Sequence, residues 1–223
     1  MEKYRIKCKN CNQTNCIKKG KRNGKQRYYC KICHLNFQDS YRYKAFDLTI
    51  NCMISRLLKN GCGVMDVSRV LEISPKTVLS RMLKISNQLK IPFFNRLGCK
   101  FEVDEMSIKI ANGKKQNWLI YGIEKVSKQV VAIRIGSRST ENISPLIDKI
   151  LLLNPKRIYT DGLNIYSSLI PKEIHKRFQY CTNRIERKNL TLRTHIKRLS
   201  RKTICFSREK KYLEAHLRIY FWG

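Results

Sequence analysis

With 223 residues, 42% of them hydrophobic, the chain is long enough to bury a core and to hold one medium domain plus one or two small modules. Its 47 Lys and Arg against 16 Asp and Glu leave a net charge of +31, which points to nucleic acid as partner through phosphate neutralisation and counterion release. No apolar run reaches the ~20 residues of a membrane span, and Met1 is followed by polar, charged residues. The expectation is a cytosolic, nucleoid-associated protein with no membrane partner and with its ten cysteines mostly reduced.

Residues 1–42 read as a zinc ribbon. Cys8 and Cys11 form one C-x-x-C and Cys30 and Cys33 another, with 18 residues between the pairs. That spacing suits four thiolates around one structural Zn2+, because two intervening residues let a tight turn present both sulfurs to the ion. Asn23-Gly24 marks a hairpin turn inside the spacer, and Gln26 to Tyr29 read as a strand. Cys16 and His34 lie nearby, fit neither paired turn, and are taken as bystanders. So small a module draws much of its stability from the metal.

Residues 43–92 read as a helix-turn-helix domain that binds double-stranded DNA. From Phe46 the period becomes helical, with Ile50, Met53, Ile54, Leu57 and Leu58 on one face and Gly61 as the stop. A short helix from Val64 to Leu71 packs through Val67, Val70 and Leu71. Ser74-Pro75 then supplies a helix cap and first position, and the next helix runs to about Asn87 with Val78, Met82 and Ile85 inward. Lys76, Thr77, Ser80, Arg81 and Lys84 are its outward, DNA-facing residues. A plain three-helix packing unit with a solvated face is the competing reading. Leu89 to Gly98, with Pro92 inside, marks the boundary to the next domain.

Residues 98–223 read as an α/β domain in the order of a ribonuclease-H-like fold. Lys100 to Asp104 alternates in period two, and Asn117–Glu124 and Gln129–Gly136 are apolar strand runs. An amphipathic helix follows over Asn142–Leu153, then a short strand Arg157–Thr160, a small helix, a strand near Ile174 to Gln179, and a long final helix from about Asn183. Ile185, Leu192, Ile196 and Leu199 form its buried seam. His175, His195 and His216 show no partner pattern and read as surface or structural residues.

In so basic a chain a carboxylate repels phosphate, and three acids need a reason. Asp104 closes the first strand, Asp161 follows the fourth, and Glu186 stands near the start of the final helix, 57 and 25 residues apart along the chain. Such a trio can hold two Mg2+ (or Mn2+) ions about 3.5–4 Å apart for phosphodiester chemistry. Bland alternatives exist for each. Glu102 and Glu105 compete with Asp104, Asp161 before Gly162 fits a turn, and Glu186 fits a first-turn acid favoured by the helix dipole. The eleven Lys and Arg between Arg184 and Lys211, among them Arg187, Lys188, Arg193, Lys197, Arg198, Arg201 and Lys202, would flank the metals as a phosphate-binding track.

These residues resemble the transposases of the insertion-sequence-one family. The stretch from Arg184 through Glu186 and Asn189 to Arg193-Thr194, continuing to Ser207, is similar to that family's signature around its catalytic Glu. Tyr159-Thr160-Asp161-Gly162 looks like its second-Asp motif and Val103-Asp104-Glu105-Met106 its first, with Ser107 where the family usually has an aromatic. The resemblance implies a DDE-type recombinase with Asp104, Asp161 and Glu186 catalytic. It implies binding to terminal inverted repeats, hydrolysis at the transposon ends, and attack of the freed 3′-hydroxyl on target DNA. A homo-oligomer is implied by paired-end chemistry, and continuity of the chain implies that it acts alone. The rival readings are a non-catalytic DNA-binding regulator and a ribonuclease-H-like nuclease.

Overall fold

A computed structural model describes residues 6–38, 45, 47, 49–90, 94, 96–111, 116–177 and 182–223. Of the expected domain limits, 1, 42, 43 and 92 lie outside these residues, as do Phe46, Pro92 and Gln179. No described helix is long and apolar enough to cross a membrane.

The first unit is a three-stranded antiparallel sheet of β1 (Cys16–Arg22), β2 (Lys25–Cys30) and β3 (Asn36–Gln38). The turn between β1 and β2 holds Asn23 at φ 50° and Gly24 at φ 73°, left-handed positions that an Asn-Gly pair accepts at little cost. Cys8, Tyr28, Cys30 and Phe37 are its buried centre.

Three helices follow: α1 (Ile50–Lys59), α2 (Val64–Leu71) and α3 (Pro75–Gln88). Gly61 at φ 84° turns the chain after α1, where a Cβ would stand 3.0 Å from the His195 carbonyl oxygen. Asp66 Oδ2 accepts the Gly63 N–H at 2.9 Å at the start of α2, and Ser74 Oγ accepts the Thr77 N–H at 3.1 Å at the start of α3. Ile50, Ile54, Leu58, Val67, Val78 and Met82 meet in one core. Val70, expected in that core, is 62% exposed, because the helix faces its neighbours through Val64, Val67 and Leu71.

The third unit is a five-stranded mixed sheet in the order β6-β5-β4-β7-β8. Its strands are β4 (Lys100–Ile108), β5 (Asn117–Glu124), β6 (Val130–Gly136), β7 (Arg157–Tyr159) and β8 (His175–Lys176). β4, β5 and β6 pair antiparallel, whereas β7 runs parallel to β4 and β8 parallel to β7. Phe101, Val103 and Ile120 face α4 (Thr140–Leu151) and α5 (Asn164–Leu169). Met106, Ile108, Tyr121 and Ile123 face α6 (Asn183–His195) and α7 (Lys210–Trp222).

Two expectations are corrected. Asp104 does not close its strand: β4 continues through Ile108 because its pairing to β5 extends to Ile108↔Asn117. β7, however, accompanies β4 only through Glu102↔Tyr159, so Asp104 stands just past the end of its parallel neighbour. The long final helix is two helices. α6 ends at His195, where Ser200 Oγ donates to the Arg193 carbonyl at 2.9 Å and Arg193 to the Leu199 carbonyl at 3.1 Å. The seam residues Ile185, Leu192, Ile196 and Leu199 all stay buried across this break, so periodicity alone did not reveal it.

α7 joins the second and third units. Leu213 and Leu217 pack under the sheet, while Ile219, on the same helix, is fully buried among the residues of α1, α2 and α3. Lys197 also approaches Asp66 of α2 at 3.9 Å.

Candidate functional site

The four paired cysteines converge. Their sulfurs lie within 4.8 Å of one another, with Cys8 to Cys33 at 3.5 Å and Cys11 to Cys30 at 3.6 Å. Tetrahedral Zn–S bonds of about 2.3 Å place sulfurs about 3.8 Å apart, so the donor set and its spacing fit one closed zinc site. Each C-x-x-C is followed by a left-handed residue, Asn12 at φ 58° and His34 at φ 57°, which folds two similar knuckles. The backbone N–H of Cys33 lowers the Cys30 thiol, and that of Leu35 lowers Cys33. At Cys11 the Gln13 backbone hydrogen bond is outweighed by desolvation and the neighbouring sulfurs, which raise it, so the thiols share their protons unevenly. Cys16 and His34 stay outside the group: Cys16 Sγ faces the Gln13 carbonyl, and the His34 ring meets the Tyr29 hydroxyl at 2.8 Å.

A second group unites Asp104 and Asp161 with Glu105, ligand oxygens again within 4.8 Å of one another. The sheet explains the meeting. Asp104 and Glu105 face opposite sides of β4, but β7 has left β4 at this height, and Asp161 at its exit reaches the open edge. Burial raises Asp104 to about 7, and burial also raises Glu105. The three carboxylates form a donor set of hard oxygens suited to a divalent cation. Glu105 is otherwise committed: Arg138 pairs with one oxygen and the Tyr166 hydroxyl donates to the other at 2.7 Å. Asp161 Oδ1 also accepts the Leu163 N–H at 3.0 Å.

Glu186 lies outside that group. Its carboxylate accepts the Thr182 hydroxyl at 2.8 Å and, with Glu105, lines a cleft of about 1010 Å³ between β4 and α6. Two contacts fix α6 against β4. Fully buried Glu102 accepts the Ile185 N–H at 2.9 Å and pairs with Lys125 at 3.0 Å. Asn189 donates to Asp104 Oδ2 at 2.6 Å while its own oxygen accepts the Tyr121 hydroxyl at 2.8 Å. Tyr121 is the direct cross-strand partner of Asp104, so β4, β5 and α6 close a triangle around this carboxylate. Asn189 and Tyr121 escaped the sequence reading. The available signals were Asn189's place inside the signature stretch and its position a helical turn after Glu186.

The expected DNA-facing residues divide. On α3, Lys76, Ser80 and Lys84 form one exposed stripe, extended by Asn87 and Gln88. Thr77 is half-buried in the helix cap, and Arg81 donates to the Ala45 carbonyl at 3.0 Å. On α6, Arg193 lines the acidic cleft together with Arg201 and Lys202 from the following turn, whereas Arg187 and Lys188 line a separate groove on the helix's other side. Arg198 donates to Ser207 Oγ at 2.9 Å, and Lys197 is exposed near Asp66. The three histidines are each engaged internally: His175 with Thr160, His195 with Tyr220, and His216 against the Leu58 carbonyl.

Comparison with known proteins agrees with the sequence signature. A family model described as IS1 transposase matches residues 97–221. The insertion element iso-IS1n protein InsB of Shigella dysenteriae is 37% identical over 118 residues, covering 53% of this chain and 88% of that protein. The insertion element IS1 9 protein InsB of Escherichia coli K12 is 32% identical over 154 residues, covering 68% of this chain and 83% of that protein. A simian T-cell lymphotropic virus intasome bound to the PP2A regulatory subunit B56 gamma aligns with 63% of this chain and 59% of its own at 19% identity, but its TM-score of 0.35 is too low to relate the folds. The matched segment spans the whole mixed sheet, the acidic group, helices α4, α5 and α6 and all but the last residue of α7, and on that match the chain belongs to the IS1 transposase family.

Proposed function

We propose that the protein is a DDE-type DNA transposase that binds the terminal inverted repeats of its element, cuts at the ends and joins them to target DNA. The observation that carries the reading is the meeting of Asp104 and Asp161 at the open end of β7, beside the helix that carries Glu186. The strand order with three antiparallel strands followed by two parallel ones supports a ribonuclease-H-like domain over 98–223. The cysteine knuckles with their three-stranded sheet support a zinc ribbon within 1–42, and the capped pair α2–α3 supports a helix-turn-helix within 43–92.

In this reading Asp104, Asp161 and Glu186 hold Mg2+ or Mn2+, and Cys8, Cys11, Cys30 and Cys33 hold structural Zn2+. Divalent cations at the acids supply Lewis acidity for the attacking and leaving oxygens of a phosphodiester. Asn189 keeps Asp104 oriented, and Glu102 ties the first turn of α6, and with it Glu186, to the strand bearing Asp104. Arg193, Arg201 and Lys202 draw the DNA backbone into the cleft. Lys76, Ser80 and Lys84, with Thr77 and Arg81 bracing α3, read the repeat in the major groove. Joining two ends requires more than one copy, and the substrate places the working protein at the nucleoid.

Purified protein with Mg2+ and an end-bearing duplex tests this. Strand transfer lost in Asp104→Asn, Asp161→Asn and Glu186→Gln, with DNA binding retained, is the expected result. Cleavage without joining would make it a nuclease, and binding without either reaction a regulator. Activity surviving in all three variants would refute the metal site.

A further inference from the structure

The two sides of α6 do different things. Glu186, Asn189 and Arg193 recur at helical spacing along the acidic cleft, whereas Arg184, Arg187, Lys188 and Thr191 recur along the other side. There they form a groove of about 320 Å³ with Lys128 and Tyr220. Four cationic side chains line it, and no Asp or Glu does.

This groove is built rather than a chance cluster of solvated bases. The β5–β6 turn is pinned by Glu124, whose carboxylate accepts the N–H groups of Val126 and Ser127, with Lys128 at φ 59°. Two cations are then anchored on that turn: Arg184 donates to the Lys125 carbonyl, and Lys188 Nζ to the Lys128 carbonyl at 2.9 Å. Lys188 is partly withdrawn from water and lies near the Phe221 ring; burial, then the neighbouring Lys128, lowers its proton affinity. Such a cation gains from an anion that water cannot replace. Asn183 and Arg184, the first two residues of α6, also line the groove, and Thr182 places no side-chain cap on their N–H groups. The positive end of the helix dipole adds to the same field.

We infer that this groove is a second phosphodiester-binding site, which grips duplex DNA outside the catalytic cleft. The inference rests on the transposase reading only for its partner. The helix between the two sites is about 10 Å thick. A duplex backbone can therefore pass over α6 and place one phosphate at the acids and another at Arg184, Arg187, Lys188 and Lys128.

The test is binding of a fluorescent duplex across a salt series without divalent cation, so that its outcome is independent of whether the acids catalyse. Wild type is compared with Arg184→Ala/Arg187→Ala and with Arg187→Glu alone, a change at an exposed residue. Lys149→Ala/Lys172→Ala removes the same charge as the double variant from the α4–α5 side of the sheet. The groove variants are expected to lower the salt slope by about two contacts and one contact respectively. The control pair should leave the slope near that of wild type. Equal losses in the control and groove variants would overturn the inference. So would a groove that binds inorganic phosphate, lost in Arg187→Glu, while the duplex slope stays unchanged.

Discussion

Glu102 offers the sharpest test of how the site is held. Its side chain is 1% exposed, and one oxygen takes the Ile185 N–H while the other pairs with Lys125, itself 21% exposed. Replacing Glu102 with Ala leaves a buried amide without its acceptor and removes the carboxylate facing Lys125, whose ammonium keeps its place 3.8 Å over the Tyr159 ring. Breaking a buried pair from one side costs about 3–5 kcal/mol. Glu102→Gln keeps an oxygen for the Ile185 amide and loses only the charge, so about 1–2 kcal/mol is expected. Lys125→Ala in the Glu102→Ala background should recover at least about 1 kcal/mol of coupling. Urea denaturation gives each number, and amide exchange at Ile185 reports whether the first turn of α6 loosens. A Glu102→Ala protein within about 0.5 kcal/mol of wild type, with Ile185 still protected, would refute the assignment.

Other outcomes follow from the same geometry. Asp104 is raised from 3.8 to about 7, so between these values the folded carboxyl holds a proton that the unfolded one has released. Without added divalent cation its contribution to stability is present below pH 4 and falls by about 2–4 kcal/mol as pH rises to 7; denaturation across pH 5–8 should show a flatter profile in Asp104→Asn, and an unchanged one would count against it. Thiol blocking should release one Zn2+ per chain, measured with a colorimetric chelator, and Cys30→Ser should abolish that release while the helical and sheet cores still melt cooperatively. Gly61→Ala meets both a φ of 84° and the His195 carbonyl at 3.0 Å, so a loss of about 1–3 kcal/mol is expected in thermal melts. Ile219→Ala should cost about 2–5 kcal/mol and loosen α1–α3 as well as α7, which amide exchange would resolve.

Much of the architecture was legible in the linear chain because it depends on neighbours within a few residues. The cysteine spacing foretold the knuckles, Ser74-Pro75 foretold the start of α3, and the apolar runs gave β5 and β6 nearly to their ends. Asp104 and Asp161 were legible as a pair, since both end up beside adjacent parallel strands. Other features depend on register and packing between segments far apart, which no local period encodes. Only the three-dimensional fold decided that Glu105 joins the acids, that Asn189 and Tyr121 hold Asp104, and that Arg187 and Lys188 face away from Arg193. It also decided that α6 stops at His195 and that α7 wedges between two cores, since the buried seam continues past the break and Ile219 finds its partners more than a hundred residues upstream.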